Sequence, residues 1–177
     1  MAGDNDRAVR MLTAALELET KGRAFYEEAS STCENPLGRE IFQMLMKDEV
    51  VHMDRIRKIY ESLDAGEPWS TAWKEMKVEN RDLRKLFKEW TTRHGDAAGT
   101  AAGDIEALDV GIDLEGKAVA FYQDHLVGAK DKTECAFIEC MIAEERYHYK
   151  ALTDMKQYLS DPDAWFLESE HGAMDGG

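Results

Sequence analysis

The sequence contains few residues that break helices or form cross-links. Its 177 residues include three prolines and three cysteines, and the cysteines, Cys33, Cys135 and Cys140, form no C-x-x-C pair. An odd cysteine count without such a pair argues against a disulfide framework and against a thiolate metal site. We therefore interpret Cys135 and Cys140 as small core or boundary residues and expect a reducing, cytoplasmic setting.

Basic residues and long apolar runs are also scarce. The 22 lysines and arginines are outnumbered by 36 acidic residues, which gives a formal net charge of −14. Such a charge repels nucleic acid and anionic lipid surfaces. No apolar run is long enough to cross a bilayer, and the opening MAGDNDRAVRM has no apolar signal region. We expect a protein that is neither exported nor anchored in a membrane.

What the sequence does contain is helix-forming residues in long stretches. Ala, Leu, Glu, Lys and Met fill the segments between the three prolines and the few places where the glycines gather. The spacing predicts an all-α fold, a four-helix bundle made of two helical hairpins in one domain of about residues 1–160. The predicted segments are helices over about 6–30 and 39–64, a crossover over about 66–103, helices from an N-cap at Asp104 and over about 132–159, and a tail over 161–177.

The two hairpins are copies of one another. Identical residues recur 96 positions apart throughout both halves, without a gap. A repeated hairpin places equivalent side chains opposite each other across a pseudo-twofold axis. The identities include Leu12/Leu108, Leu18/Leu114, Glu19/Glu115, Lys21/Lys117, Ala24/Ala120, Phe25/Phe121, Tyr26/Tyr122, Glu49/Glu145, His52/His148, Leu63/Leu159 and Trp69/Trp165.

A glutamate interrupts the apolar stripe of every long helix. In the second and fourth helices a histidine follows it three residues later. In Glu-x-x-His on a helix, the two side chains lie nearly one above the other, so both can bind one ion. Without metal, four carboxylates in a bundle core are opposed by desolvation and by mutual repulsion. The pattern therefore predicts a site for two metal ions, with the ligands Glu19, Glu49, His52, Glu115, Glu145 and His148.

For several other residues near the candidate ligands, the sequence leaves the role open. Tyr26 and Tyr122 stand two turns after the glutamates of their own helices, where they either donate hydrogen bonds to ligands or pack in the core. Gly22 and Ala118 either leave room for oxygen or peroxide or allow close helix packing. A third Glu-x-x-His, at Glu168 and His171, has no repeat partner and is interpreted as a chance surface pair, and His94 and His125 as surface residues.

The crossover and the tail each carry an amphipathic or aromatic segment. Leu83, Leu86, Phe87 and Trp90 predict a short helix lying across the bundle. The tail has too little apolar content to fold alone, but Trp165 and Phe166 are candidates to anchor it against the bundle.

The motifs resemble the rubrerythrin branch of the ferritin-like superfamily. ELETKGRAFYEEA and DLEGKAVAFYQDH are similar to its glutamate helices, and KDEVVHM and AEERYHY to its Glu-x-x-His helices. The resemblance implies two iron ions (Fe2+/Fe3+) bound by the same six residues, reduction of hydrogen peroxide or O2, and association as a homodimer.

The sequence differs from rubrerythrins in two features and from bacterioferritins in one. Rubrerythrins usually carry a rubredoxin domain with two C-x-x-C motifs, which this sequence lacks, so the electrons would come from a separate donor such as a rubredoxin-like protein. Ala118 occupies the position of an additional family glutamate. Val50 stands where bacterioferritins have a haem-binding methionine, so no haem is expected.

The predicted function is a non-haem di-iron oxidoreductase, in which the six ligands are also the catalytic residues. One alternative is a ferroxidase or iron-storage protein, which would require a cage-like oligomer. Another is a structural or binding bundle stabilised by zinc or manganese, because carboxylate and imidazole ligands suit several metals.

Overall fold

The computed structural model describes residues 2–79, 81–94, 101–165 and 167, and these form a helical bundle. No strand occurs among them, which confirms the predicted all-α fold. The long helices are longer at their ends than the sequence predicted. The elements are α1 (Ala2–Thr32), α2 (Pro36–Asp64), a 3-10 turn (Ala72–Glu75), α3 (Leu83–His94), α4 (Ala102–Gly128) and α5 (Lys132–Ser160).

Each hairpin turns at an N-cap that satisfies the first amides of its second helix. The Asn35 side chain accepts hydrogen bonds from the amides of Leu37 and Gly38, and Asp131 caps α5 in the same way. Asn35 and Asp131 are themselves 96 positions apart. The predicted start of α2 near residue 39 is therefore too late, because Pro36 occupies the first helical position after its cap.

Asp104 has a different role from the predicted one. Helix α4 begins at Ala102, so Asp104 lies inside its first turn and is buried. Its carboxylate accepts hydrogen bonds of 3.0 and 2.9 Å from the backbone amides of Glu34 and Asn35. The N-cap prediction was wrong, since this aspartate joins the α1–α2 turn to α4.

Two hydrophobic clusters fill the bundle, one towards each end. In α1, four residues between positions 8 and 15 belong to one cluster, Tyr26 and Ala29 belong to the other, and Glu19 lies between them. Nearly all of the predicted apolar stripes are buried or half-buried. Tyr149 is the exception, because it is 42% exposed on α5. The buried polar residues therefore form a layer in the middle of the bundle.

The crossover helix packs against the end of α5. Phe87 of α3 is buried, and its ring lies 5.1 Å from that of Tyr158 and 4.7 Å from that of Trp165. Trp165 thus fixes the start of the segment after α5. Phe166, the Glu168/His171 pair and the His94 side chain lie outside the described residues. Within the described ranges, no helix has the length and apolar content needed to span a membrane.

Candidate metal centre

The six candidate ligands meet in the polar layer between the two clusters. Helices α1 and α4 each supply one glutamate, and α2 and α5 each supply a glutamate and a histidine three residues later. Each of the six side chains belongs to a residue that is at most 2% exposed. The layer therefore gathers four carboxylates and two imidazoles away from solvent.

The geometry divides these residues into two overlapping groups. Glu19, Glu49, His52 and Glu145 present ligand atoms within 4.8 Å of one another, and so do Glu49, Glu115, Glu145 and His148. Glu49 and Glu145 belong to both groups. Two neighbouring ions held here would therefore share these two carboxylates.

The histidines direct the same ring nitrogen towards the carboxylates. Nδ1 of His52 lies 3.1 Å from Glu145 and 3.3 Å from Glu19. Nδ1 of His148 lies 3.3 Å from the other oxygen of Glu145 and 3.7 Å from Glu115. The two imidazole rings stack at 5.4 Å, and the nearest Glu145 oxygen differs between them.

Several of these atoms are buried without a hydrogen bond. They are Oε2 of Glu49, both carboxylate oxygens of Glu145, and Nδ1 of His148. Nδ1 of His148 lies close enough to Glu145 for an ion pair, but the geometry between the ring nitrogen and the carboxylate is not that of a hydrogen bond. Buried polar atoms of this kind are rare and costly in proteins. A pair of cations among them would satisfy all four, so the residues fit a dimetal centre.

Each tyrosine hydroxyl binds the glutamate of the opposite hairpin. Tyr26 of α1 donates to Glu115 of α4, and Tyr122 of α4 donates to Glu19 of α1. Burial and the adjacent carboxylates raise the pKa of both tyrosines well above their ordinary value, so both keep the proton that they donate. These crossed bonds hold one oxygen of each outer glutamate and link the two halves.

A second pair of acidic residues supports the histidines. Nε2 of His52 lies 2.9 Å from Glu144, and Nε2 of His148 lies 3.3 Å from Asp48. A histidine that binds metal through Nδ1 carries its proton on Nε2, where a carboxylate fixes the ring and increases its basicity. Asp48 and Glu144 were not predicted from the sequence, although each directly precedes a ligand glutamate and they are 96 positions apart.

The two supporting carboxylates have different surroundings. Arg55, which is 2% exposed, donates to Glu144 at 2.5 and 3.2 Å and to the Met76 carbonyl. Asp48 accepts a 3.0 Å bond from the backbone amide of Glu79. The repeat equivalent of Arg55 is Ala151. The environment of His52 therefore contains a cation, whereas the equivalent position beside His148 holds a neutral alanine.

Burial and charge shift the acids of the layer in opposite directions. Burial and neighbouring carboxylates raise the pKa of Glu49 and of Glu115 well above the usual glutamate value. Burial also opposes ionisation of Glu145, but the two histidines outweigh it and its pKa falls well below normal. Hydrogen bonds from His52 and Arg55 likewise overcome burial and lower the pKa of Glu144 to about 2. Without metal, the layer therefore retains protons on some of its carboxyl groups.

Comparison with known families supports this interpretation. A family model, Rubrerythrin, matches residues 10–156, which include all six candidate ligands. The chain belongs to the rubrerythrin family. The match covers the ferritin-like di-iron domain of that family, and no separate rubredoxin domain is evident in the 177 residues. Comparison with curated proteins gave no significant match, and comparison with solved structures gave none either.

A pocket connects the surface of this rubrerythrin-family bundle with the acidic layer. It has a volume of about 330 Å³ and lies between α1 and α4. Gly22 and Ala118 both line it, and a Cβ atom at Gly22 would lie 3.3 Å from the Glu49 carboxylate. His125 lies elsewhere: it is half-buried, with Nδ1 2.8 Å from the Phe121 carbonyl. His125, which was predicted to be a surface residue, is therefore only partly exposed.

We expect the metal-free protein to lose stability as the pH rises from about 6 to about 8. In Glu49, Glu115 and both histidines the folded-state pKa is raised; for the histidines, the surrounding carboxylates outweigh burial. Their contribution is complete below the unfolded values, about 4.3 for Glu and about 6.5 for His, and is lost as the pH rises through the folded values. Urea unfolding at the two pH values measures the change, about 1 kcal/mol or more per pH unit.

Metal should reverse this pH dependence, because ion binding requires deprotonated ligands. The same urea series on zinc-loaded protein serves as the control. A metal-free protein that is equally stable, or more stable, at the higher pH would contradict the raised pKa values.

Replacing a tyrosine should weaken binding of one ion more than of the other. Tyr122→Phe removes the hydrogen bond to Glu19, and Tyr26→Phe removes the one to Glu115. Loss of a partner that orients a metal ligand typically lowers affinity by about 10- to 100-fold. Calorimetric titration with manganese measures both binding steps. The exposed Tyr60→Phe is the control, and equal behaviour of all three variants would contradict the assigned roles.

Proposed function

We propose that this protein is a non-haem di-iron oxidoreductase that reduces peroxide or oxygen with electrons from a separate donor. The observation that carries the proposal is the pair of overlapping, fully buried ligand groups that share Glu49 and Glu145. Family membership supports iron over manganese or zinc, since the ligand types suit all three metals.

The roles of the six residues follow from the two groups. Glu19 and His52 would hold one ion, Glu115 and His148 the other, and Glu49 and Glu145 both. Four carboxylates neutralise two divalent ions and leave two trivalent ions with two excess positive charges, so the ligands suit either state. Bound iron would supply two Fe2+/Fe3+ couples, which together provide the two electrons that a peroxide needs.

The other residues around the layer would orient the ligands and control access. The hydroxyls of Tyr26 and Tyr122 hold the outer glutamates, and Asp48 and Glu144 fix the imidazole rings. The hydrophobic clusters above and below exclude water from the layer. The pocket between α1 and α4 gives a small oxidant a route to the carboxylates.

The electron donor, assembly and compartment belong to the same proposal. The sequence contains no C-x-x-C pair, so the proposed donor is a separate rubredoxin-like protein. A homodimer is the proposed assembly. The free cysteines Cys33, Cys135 and Cys140 support a reducing compartment such as the cytoplasm.

Anaerobic loading with ferrous iron tests the function directly. We expect two irons per chain, and new near-ultraviolet absorbance of the oxidised iron pair when hydrogen peroxide is added. Zinc-loaded protein, which has no accessible redox couple, is the control. Binding of at most one iron, or of two irons that peroxide leaves unchanged, would contradict the proposal. Iron accumulation in a large cage seen by gel filtration would instead indicate storage.

A further inference from the structure

The pocket between α1 and α4 ends on the metal ligands. Its lining includes the carboxylates of Glu19, Glu49, Glu115 and Glu145, which lie at its buried end. Because Gly22 has no side chain, nothing from that residue separates the pocket from the carboxylate of Glu49. A molecule in the pocket would therefore lie directly beside the candidate metal centre.

The pocket is much larger than hydrogen peroxide requires. A water molecule occupies about 30 Å³ of liquid volume. The volume of about 330 Å³ is roughly ten times that value, whereas hydrogen peroxide has only two heavy atoms. Pockets for small organic ligands begin at about 300 Å³. The space thus fits an organic molecule.

The wall of the pocket is mainly apolar. Leu18 and Leu114 face it from equivalent positions of the two hairpins, and Ala14, Ala118 and Phe121 complete the apolar wall. Apolar surface binds apolar groups favourably and offers no hydrogen bonds to water. A ligand that matches both the apolar wall and the carboxylates at the buried end has an apolar body and one polar end.

The charged side chains at the outer part of the pocket do not select one sign of charge. Glu17, Lys21 and Lys117 line it and are all exposed. The Lys117 ammonium also lies 2.5 Å from the carboxylate of Asp113. A neutral ligand is therefore the best match.

We propose that this pocket is the substrate site for neutral organic hydroperoxides, ROOH, with an apolar R group. The proposal rests on the proposed function and deepens it. A reduced metal pair held by the six ligands would supply two electrons; with two protons from solvent, cleavage of the O–O bond would then give ROH and H2O. The separate donor would return the two electrons to the metal pair.

Binding can be measured without any turnover. The probe is 2-phenyl-2-propanol, the alcohol product of cumene hydroperoxide, added to zinc-loaded protein and followed by ligand-observed NMR. We expect the wild-type protein to bind it. Ala14→Trp, at an exposed residue of the pocket wall, should weaken binding at least tenfold, and so should Leu114→Trp on the opposite wall. Val110→Trp is the matched control.

Val110 is a suitable control because it is the repeat equivalent of Ala14. It is 49% exposed on α4 and does not line the pocket, so an added indole there leaves the space open. Absence of alcohol binding to the wild type would overturn the proposal. Equal binding by all three variants would also overturn it.

Turnover by the iron-loaded protein supplies a second comparison. The measured quantity is the ratio of kcat/KM for cumene hydroperoxide to that for hydrogen peroxide. Ala14→Trp and Leu114→Trp should each lower this ratio at least tenfold, while Val110→Trp leaves it unchanged. Reduction of hydrogen peroxide but not of cumene hydroperoxide would overturn the substrate proposal alone. Reduction of neither peroxide would overturn the proposed peroxide reduction as well.

Discussion

Replacing Glu49 with Gln is expected to remove both metal ions, whereas replacing Glu19 with Gln removes only one. Glu49 presents ligand atoms to both groups, while Glu19 belongs only to the group that contains His52. Gln keeps the size of the side chain but loses the charge that balances the cation. Metal content per chain, measured by mass spectrometry after ferrous loading and desalting, should fall from about two to near zero in one variant and to about one in the other.

The repeat supplies the matched comparison for this experiment. Glu145→Gln should behave like Glu49→Gln, and Glu115→Gln like Glu19→Gln but with the other ion lost. Glu139→Gln changes an exposed acid of α5 outside both groups and should keep two ions. Retention of one ion by Glu49→Gln, or loss of both by Glu19→Gln, would show that the carboxylates are not shared as proposed.

The sequence predicts the architecture well because the fold follows two simple regularities. Apolar residues recur with the helical period, and one constant spacing relates the hairpins, so both the helices and their pairing can be inferred. The same regularities place the six candidate ligands on facing stripes. In the structure all six lie in the two groups.

Contacts between hairpins could not be inferred in the same way. Helical spacing shows that Tyr26 shares a face with Glu19, yet its hydroxyl binds Glu115, because the helices pack so that each tyrosine lies level with the glutamate of the opposite helix. Asp104 shows the same limit: its sequence context suits an N-cap, but the α1–α2 turn lies beside it and supplies two amides. Such partners depend on tertiary packing.

The burial of Arg55 was not predicted from the sequence either, and the reason is again physical. A lone arginine on a helix is usually exposed, and only the neighbouring α5 determines that Arg55 is buried beside Glu144. Asp48 and Glu144 could have been found, because the acidic pair preceding x-x-His occurs in both halves. The repeat identifies what the halves share but not where their surroundings differ.

Replacing Arg55 with Met should destabilise the metal-free protein by about 3 kcal/mol or more. The substitution leaves His52 as the remaining cation bonded to the Glu144 carboxylate within the described part of the chain, and it removes the bonds to the Met76 carbonyl. Breaking a buried ion pair from one side costs about 3–5 kcal/mol, because the remaining charge stays desolvated. The free energy of unfolding in urea, measured for the metal-free protein, gives the difference.

Arg57, two residues away on the same helix, provides the control. Its ion pair with Asp54 has side chains that are 49% and 54% exposed, and exposed pairs contribute at most about 1 kcal/mol. Arg57→Met should therefore have little effect. Replacing both Arg55 and Glu144 with Met should recover part of the loss, because the double substitution removes the carboxylate that Arg55→Met alone leaves without its guanidinium partner. Equal destabilisation by Arg55→Met and Arg57→Met would show that the buried Arg55–Glu144 pair does not stabilise the layer.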